Sequence, residues 1–360
     1  MWQNWLVKRR FFLHWTHFIA IFCLLLLAIG SFLVQQRQVR NFVPDSEQNL
    51  KAEQNNLTQA AQELGHKSAP DKQIQAVFEL INLNEQQQKA LQQENAAPYL
   101  KAMNKKIEHA QAYAATYQTW LLRSNQDQAS TTIHFNQTIK KHGFSYELLS
   151  ASVYGKNGIF TQTQVLTQGL VFFFLQLLFN LVNLHFFRSK QTEIILLNMR
   201  DRAAYLHQLQ LNFIGQLFSG LFIFFATVWL CTTLFGQKLF TGNLANSCQY
   251  PLADLTGTIG ELLLWQIIVF CLLSLFLMTY FNFLMLRWHH DLVVLFAYSL
   301  VVLLGVLSNH ITGVWQNDAN PFYWLTHLPN DWPAVVLAIL VMLVLAGWMA
   351  MVSRKILNGI

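Results

Sequence analysis

The residues of this chain best placed to do chemistry are amides and hydroxyls set inside apolar runs. Gln176, Asn180 and Asn183 fall at i, i+4 and i+7, one face of a helix. Asn212, Gln216, Ser219 and Thr227 form a second stripe, interrupted by Ile223 and with Cys231 at its edge. An unpaired polar group facing lipid is costly, so these faces must look toward other helices or a hydrated path. They serve either as hydrogen-bonding glue between helices or as the lining of a substrate path. No Asp, Glu, Lys or Arg lies deep in an apolar run, since Glu261 and Asp291 sit at the ends. That argues against a carrier coupled to protons or sodium through a buried ionisable group.

Other chemistry is missing from the sequence. It has no G-x-x-x-x-G-K-[ST] phosphate loop, no H-E-x-x-H and no G-x-S-x-G, so no catalytic residue is assigned and the chain is not read as an enzyme. The densest histidine cluster, His289-His290-Asp291, places adjacent side chains about 100° apart on a helix and is read as a polar span end. No metal site is assigned. The four cysteines, Cys23, Cys231, Cys248 and Cys271, are too scattered for a disulfide framework or a C-x-x-C site.

The elements that must hold these residues follow from composition. The 360 residues are 53% hydrophobic and only 12% charged, with 29 Phe and 11 Trp, against about 25% charged in a soluble domain. The sequence therefore predicts an all-α integral membrane protein. Six segments are apolar over the length a helix needs to cross the hydrocarbon: 16–34, 164–187, 211–235, 262–286, 292–308 and 334–352. None contains proline, and all seven prolines are expected in loops. The first span follows Lys8, Arg9 and Arg10 like a secretory signal, but its run is too long and no small-residue cleavage site follows, so it is read as a retained anchor.

The net charge of +6 reads as topology and not as nucleic-acid binding, because the basic residues flank spans without forming a dense block. Lys8, Arg9, Arg10, Arg188, Lys190, Arg200, Arg202, Arg287, Arg354 and Lys355 fall on one side in short loops, with only Lys238 opposite. The positive-inside rule places both termini (1–15 and 353–360) in the cytoplasm and residues 35–163 outside.

That outer segment is rich in Gln, Asn and Ala. Leu100, Met103, Ile107, Ala110, Ala114, Tyr117 and Leu121 recur at three- and four-residue steps; Leu50, Leu57 and Leu64 repeat every seven, and Ile74, Val77 and Ile81 add a third stripe. Three antiparallel helices over 46–123 are expected, with Gln87 on their surface; no structure is assigned to 131–160. A five-helix transmembrane domain over 164–352 completes the chain.

Between the second and third spans lies the cytoplasmic stretch 188–210, RSKQTEIILLNMRDRAAYLHQLQ. Its apolar patch Ile194, Ile195, Leu196, Leu197 and Met199 is followed by Arg200-Asp201-Arg202. Such an amphipathic segment suits a membrane surface or the groove of a cytoplasmic partner. Here the chain resembles the permease subunits of type 2 class ATP-binding-cassette exporters, in which a glycine-threonine, a leucine-rich helix and a proline-x-serine-arginine mark the second cytoplasmic element. Thr192, the leucines and Arg202 match; Gln191 and Met199 stand where the family has glycine and proline. The layout of one span, a large outer domain and five spans is similar along the whole chain, as is Asn320-Pro321-Phe322-Tyr323-Trp324-Leu325 before the last span.

The resemblance implies a subunit of a bacterial plasma-membrane exporter of Gram-positive type, moving a peptide, lipid or other amphipathic substrate. It implies pairing with a second permease copy or a related permease. It also implies a separate ATPase subunit that carries ATP and Mg and docks on Thr192, Ile195, Leu196, Met199, Arg200 and Arg202, this chain binding no cofactor itself. The alternative is a non-transporting receptor or scaffold whose outer helices bind a peptide or envelope partner. Five spans after the domain and two polar stripes exceed what anchoring needs.

Overall fold

The computed structural model describes residues 15–142, 144, 146, 155–187, 203–236, 239–240, 250–252, 257–288, 290–308 and 318–359. Among them the chain is helical: α1 Trp15–His66, α2 Asp71–Gln92, α3 Ala96–Tyr117, α4 Ala129–Lys141, α5 Gly155–Thr167, α6 Gly169–Phe187, α7 Ala203–Phe235, α8 Ile259–Arg287, α9 Asp291–Ser308 and α10 Trp332–Gly359. An isolated antiparallel bridge pairs Pro251 with Thr258. Parts of α1, α7, α8, α9 and α10 are long and apolar enough to cross a membrane, and α5 with α6 makes a sixth candidate if the bent pair is one span. Their outward faces are strongly apolar, with Phe222 75% and Val344 70% exposed. Apolar surface on this scale belongs in lipid and not in water.

Helix α1 runs unbroken from Trp15 to His66, so the apolar segment 16–34 continues as one helix into the residues that follow it. Leu, Gln and Ala, all good helix formers, are the commonest residues of α1. The prolines are not confined to loops: Pro44 lies inside α1, while Pro98 and Pro333 sit in the first turns of α3 and α10. A proline in a first turn gives up an N–H that would have no acceptor anyway. Pro44 deprives the Arg40 carbonyl of its partner, but both residues are exposed, so water can serve. Residues 164–187, read as one span, are not one helix. The chain breaks at Gln168, and α5 and α6 meet at 68°. Stretch 131–160, unassigned from sequence, holds most of α4 and the start of α5.

The described residues divide into two compact units. One comprises 32–161 and 231–261. Here α2 and α3 are joined by three residues and pack side by side. Leu57 of α1, Leu80 of α2, Ile107 and Ala110 of α3, Ala129 of α4, and Leu122 from the segment between α3 and α4 form one apolar cluster; Ala61, Val77 and Tyr113 form a second. Of the stripe read from sequence, Leu100 and Ile107 are buried, whereas Met103, Tyr117 and Leu121 are only partly so. Gln87, expected on the surface, is 3% exposed.

A polar layer crosses this core. The Lys106 ammonium donates to Glu53 Oε1 and to Asn84 Oδ1 (2.9 Å), and the Asn84 amide donates to Leu50 O and Gln54 Oε1, both 2.9 Å. Burial pushes the Lys106 amine below its usual value, against the opposing pull of Glu53. Rings of Phe42, Tyr99, Tyr146 and Phe240 pack together beside this layer. Burial raises the Tyr99 and Tyr146 hydroxyls above their usual value.

Candidate functional site: the polar interior of the span bundle

The other unit comprises 1–31, 162–230 and 262–360. Its interior carries the amides that the sequence singled out on α6. Gln176 and Asn180 are fully buried. Gln176 Nε2 donates to Ser274 Oγ of α8 at 2.5 Å. Asn180 Nδ2 donates to the Gln176 carbonyl at 2.8 Å and to the Tyr298 hydroxyl of α9 at 2.9 Å. One face of α6 is thus tied to two other helices by neutral hydrogen bonds, the arrangement a low-dielectric interior tolerates. The Asn183 position lies on α6, but its side chain falls outside the described residues.

The α7 stripe behaves differently. Among the described side chains of that helix, Phe213, Leu217, Phe224, Val228 and Thr232 are buried, with Gly220 beside them. Gln216, Ser219 and Thr227 flank this face and are half-buried. Ser219 Oγ donates to Gln216 O at 3.0 Å and Thr227 Oγ1 to Ile223 O at 2.8 Å, so both hydroxyls bond to their own helix. Asn212 lies on α7, its side chain outside the described residues. The proposed docking residues Thr192, Ile195, Leu196, Met199, Arg200 and Arg202 all fall outside them as well.

Several interior polar residues escaped the sequence reading. Gln266, Ser274 and Asn282 are buried on α8, and Gln162, Thr163 and Thr167 on α5. The Ser31 hydroxyl donates to Gln162 Oε1, joining α1 to α5. Gln266 Nε2 donates to the Leu325 carbonyl at 3.2 Å. Asn282 has neither amide atom paired. On α8 the polar residues are spaced by eight, which turns each about 80° from the last, so they make no stripe. On α5 the signal was present as polar density, since Thr161-Gln162-Thr163-Gln164 precedes the apolar run.

The segment Asn320 to Leu325 caps one end of these helices. Asn320 Oδ1 accepts from Phe322 N at 3.1 Å and its Nδ2 donates to Ser308 Oγ at 2.8 Å. Tyr323–Leu325 form a 3-10 turn that buries Trp324 and Leu325. Trp324 Nε1 donates to Asp318 O at 2.9 Å, and Asp318 Oδ2 accepts from Asn330 N at 2.8 Å and Asp331 N at 2.5 Å. Gly305 lets the Phe322 ring lie against α9, where a Cβ would come within 2.3 Å of it. Gly169 does the same for α6, whose added Cβ would meet Val306 Cγ1 at 2.4 Å.

Among the described residues no three His, Cys, Asp or Glu side chains gather as metal ligands. No family model matches the chain, and no curated protein or solved structure is similar to it.

Proposed function

We propose that this chain is the membrane-spanning permease subunit of an ATP-driven exporter. It crosses the membrane six times, the bent pair α5–α6 being one crossing, with both termini cytoplasmic and residues 35–163 outside. The observation that carries this reading is the polar interior of the span bundle: Gln162, Gln176, Asn180, Gln266, Ser274 and Asn282 are each no more than 3% exposed. An anchor for an outer receptor domain needs only apolar helices, and polar groups within membrane helices are retained where helices must pack specifically or pass a solute. The broken crossing supports the same reading, because interrupted helices are costly in lipid unless they line a cavity or a moving part.

The ATP-driven step rests on the resemblance carried by Thr192, the leucines, Arg202 and the layout. In this reading Ile195, Leu196 and Met199 enter a groove of a separate ATPase, Arg200 and Arg202 set its register at the rim, and movement passes to the spans through α6 and α7. A few buried apolar anchors supply most of such docking energy. Affinity purification in mild detergent should recover an ATPase with the chain. Leu196→Asp or Met199→Asp should release it while membrane insertion persists. A complex that survives both substitutions with full ATPase stimulation would rule out 188–210 as the coupling site. Failure to recover any ATPase, together with ligand binding by residues 35–163, would favour the receptor.

A further inference from the structure

Where the apolar run of α1 ends, the helix carries two arginines that nothing neutralises. The run stops at Val34, and Leu33 and Val34 are 56% and 59% exposed. Arg37 and Arg40 follow, both exposed, and with Leu33 they fall at i, i+4 and i+7, one face of the helix. Neither guanidinium has an ion-pair or hydrogen-bond partner among the described residues. The first carboxylate along α1 is Asp45, more than a turn beyond Arg40 and about 140° around the helix from it.

Their height suits a lipid headgroup. Arg37 lies about 4.5 Å and Arg40 about 9 Å beyond Val34 along the helix axis, and the headgroup layer is about 5–7 Å deep on each side of the hydrocarbon. Helical side chains lean toward the N-terminus, here back toward the apolar run, so both guanidinium groups reach down into that layer. The end of α7 marks the same height. Gln36 Nε2 donates at 3.1 Å to the carbonyl of Phe235, the last residue of α7, and Leu234 and Phe235 are 67% and 62% exposed. Two apolar runs therefore end together just below the arginines.

Two like charges one turn apart on a helix repel and are relieved by sharing an anion. A phosphodiester offers two free oxygens, each matched to the planar guanidinium fork. A headgroup without a cation of its own leaves that phosphate charge unopposed. We propose that Arg37 and Arg40 together hold the phosphodiester of one anionic phospholipid, whose acyl chains lie against Leu33 one turn below. The site rests on α1 crossing the membrane and not on the ATP-driven step, and it holds for either orientation of the chain.

The test is native mass spectrometry of the full chain in detergent, titrated with phosphatidylglycerol or with phosphatidylcholine; no ATPase enters the measurement, so its outcome is separate from that of the coupling reading. One phosphatidylglycerol should be retained in preference to phosphatidylcholine. Arg37→Gln with Arg40→Gln should weaken that retention by about thirtyfold, the joint effect of two basic residues at an anionic lipid surface. Both positions are exposed, so the substitutions open no gap in the core. Lys51→Gln with Lys67→Gln removes the same charge from exposed positions farther along the chain and should leave retention unchanged. Equal retention of the two lipids, or parental retention by the double arginine variant, would overturn the proposal. A loss as large in the Lys51 and Lys67 variant would assign the effect to net charge and overturn it too. Displacement of the lipid by inorganic phosphate at equal concentration would make this a site for free anions and would overturn it equally.

Discussion

Replacing Lys106 by methionine should cost the unit built on α2 and α3 far more than replacing a surface lysine would. Lys106 is 4% exposed and Glu53 7% exposed, so the substitution leaves a carboxylate in the core with its counter-charge gone. Glu53 Oε2 retains only the Arg123 N–H at 3.4 Å, and Asn84 Oδ1 loses its donor. Breaking a buried pair from one side costs about 3–5 kcal/mol. Replacing both partners by apolar residues removes the stranded charge. Glu53→Leu with Lys106→Met should therefore recover most of the loss, leaving about 1–3 kcal/mol for the unpaired Asn84 oxygen.

Hydrogen exchange of the full chain in nanodiscs, read on peptides of α2 and α3, measures this locally. The single substitution should speed exchange by about two to three and a half decades, at about 1.4 kcal/mol per tenfold. The double substitution should stay within about two decades of the parent. If the double variant exchanges as fast as the single one, the stranded charge is not what costs stability and the reasoning fails.

Further outcomes follow from the same structure. Gln118 ends α3 in the left-handed region at φ 54° and is exposed, so Gln118→Gly should stabilise these helices by about 1 kcal/mol in denaturant titration. Because burial raises the Tyr99 and Tyr146 hydroxyls, the unfolded chain releases protons first as pH climbs past about 10. Stability should then fall with rising pH, and Tyr99→Phe with Tyr146→Phe should flatten that fall in a pH series of thermal unfolding; an unchanged slope would show that these tyrosines do not govern it. Gly305→Ala puts a methyl where Phe322 lies and should cost about 1–3 kcal/mol, seen as a lowered transition of the full chain.

Much of the helical layout was legible because its signal is periodic. The apolar runs of 211–235, 262–286, 292–308 and 334–352 lie within α7 to α10, α7 starting eight residues earlier and α10 ending seven later than the runs. Two breaks were not legible, for opposite reasons. Pro44 looked like a boundary because proline normally stops a helix, yet α1 passes through it where the freed carbonyl is exposed. The chain at Gln168 looked continuous because hydropathy counts side chains and not backbone bonds. Next to the break, Gly169 lies so close to Val306 that an added Cβ would come within 2.4 Å of its Cγ1. Gln87 was misread for a similar reason, since a glutamine in a Gln-rich run carries no mark of the buried Tyr99 beside it. The Glu53–Lys106 pair joins residues far apart in sequence on two helices, and only their packing reveals it.

The two polar stripes looked alike in sequence, but their hydrogen bonds separate them. On α6 the donors of Gln176 and Asn180 reach Ser274 and Tyr298 on other helices, so removing either would loosen contacts between crossings. On α7 the Ser219 and Thr227 hydroxyls turn back to carbonyls of their own helix and bind no neighbour with that proton. Interhelical glue requires a partner on another helix, and α6 meets that requirement while these hydroxyls do not. A hydroxyl satisfied by its own backbone can sit beside a solute or a lipid tail without leaving an unpaired donor, and it keeps its lone pairs for a passing polar group. In a permease, the fixed frame would then lie along α6, α8 and α9, and the half-buried edge of α7 would be the surface along which a substrate moves.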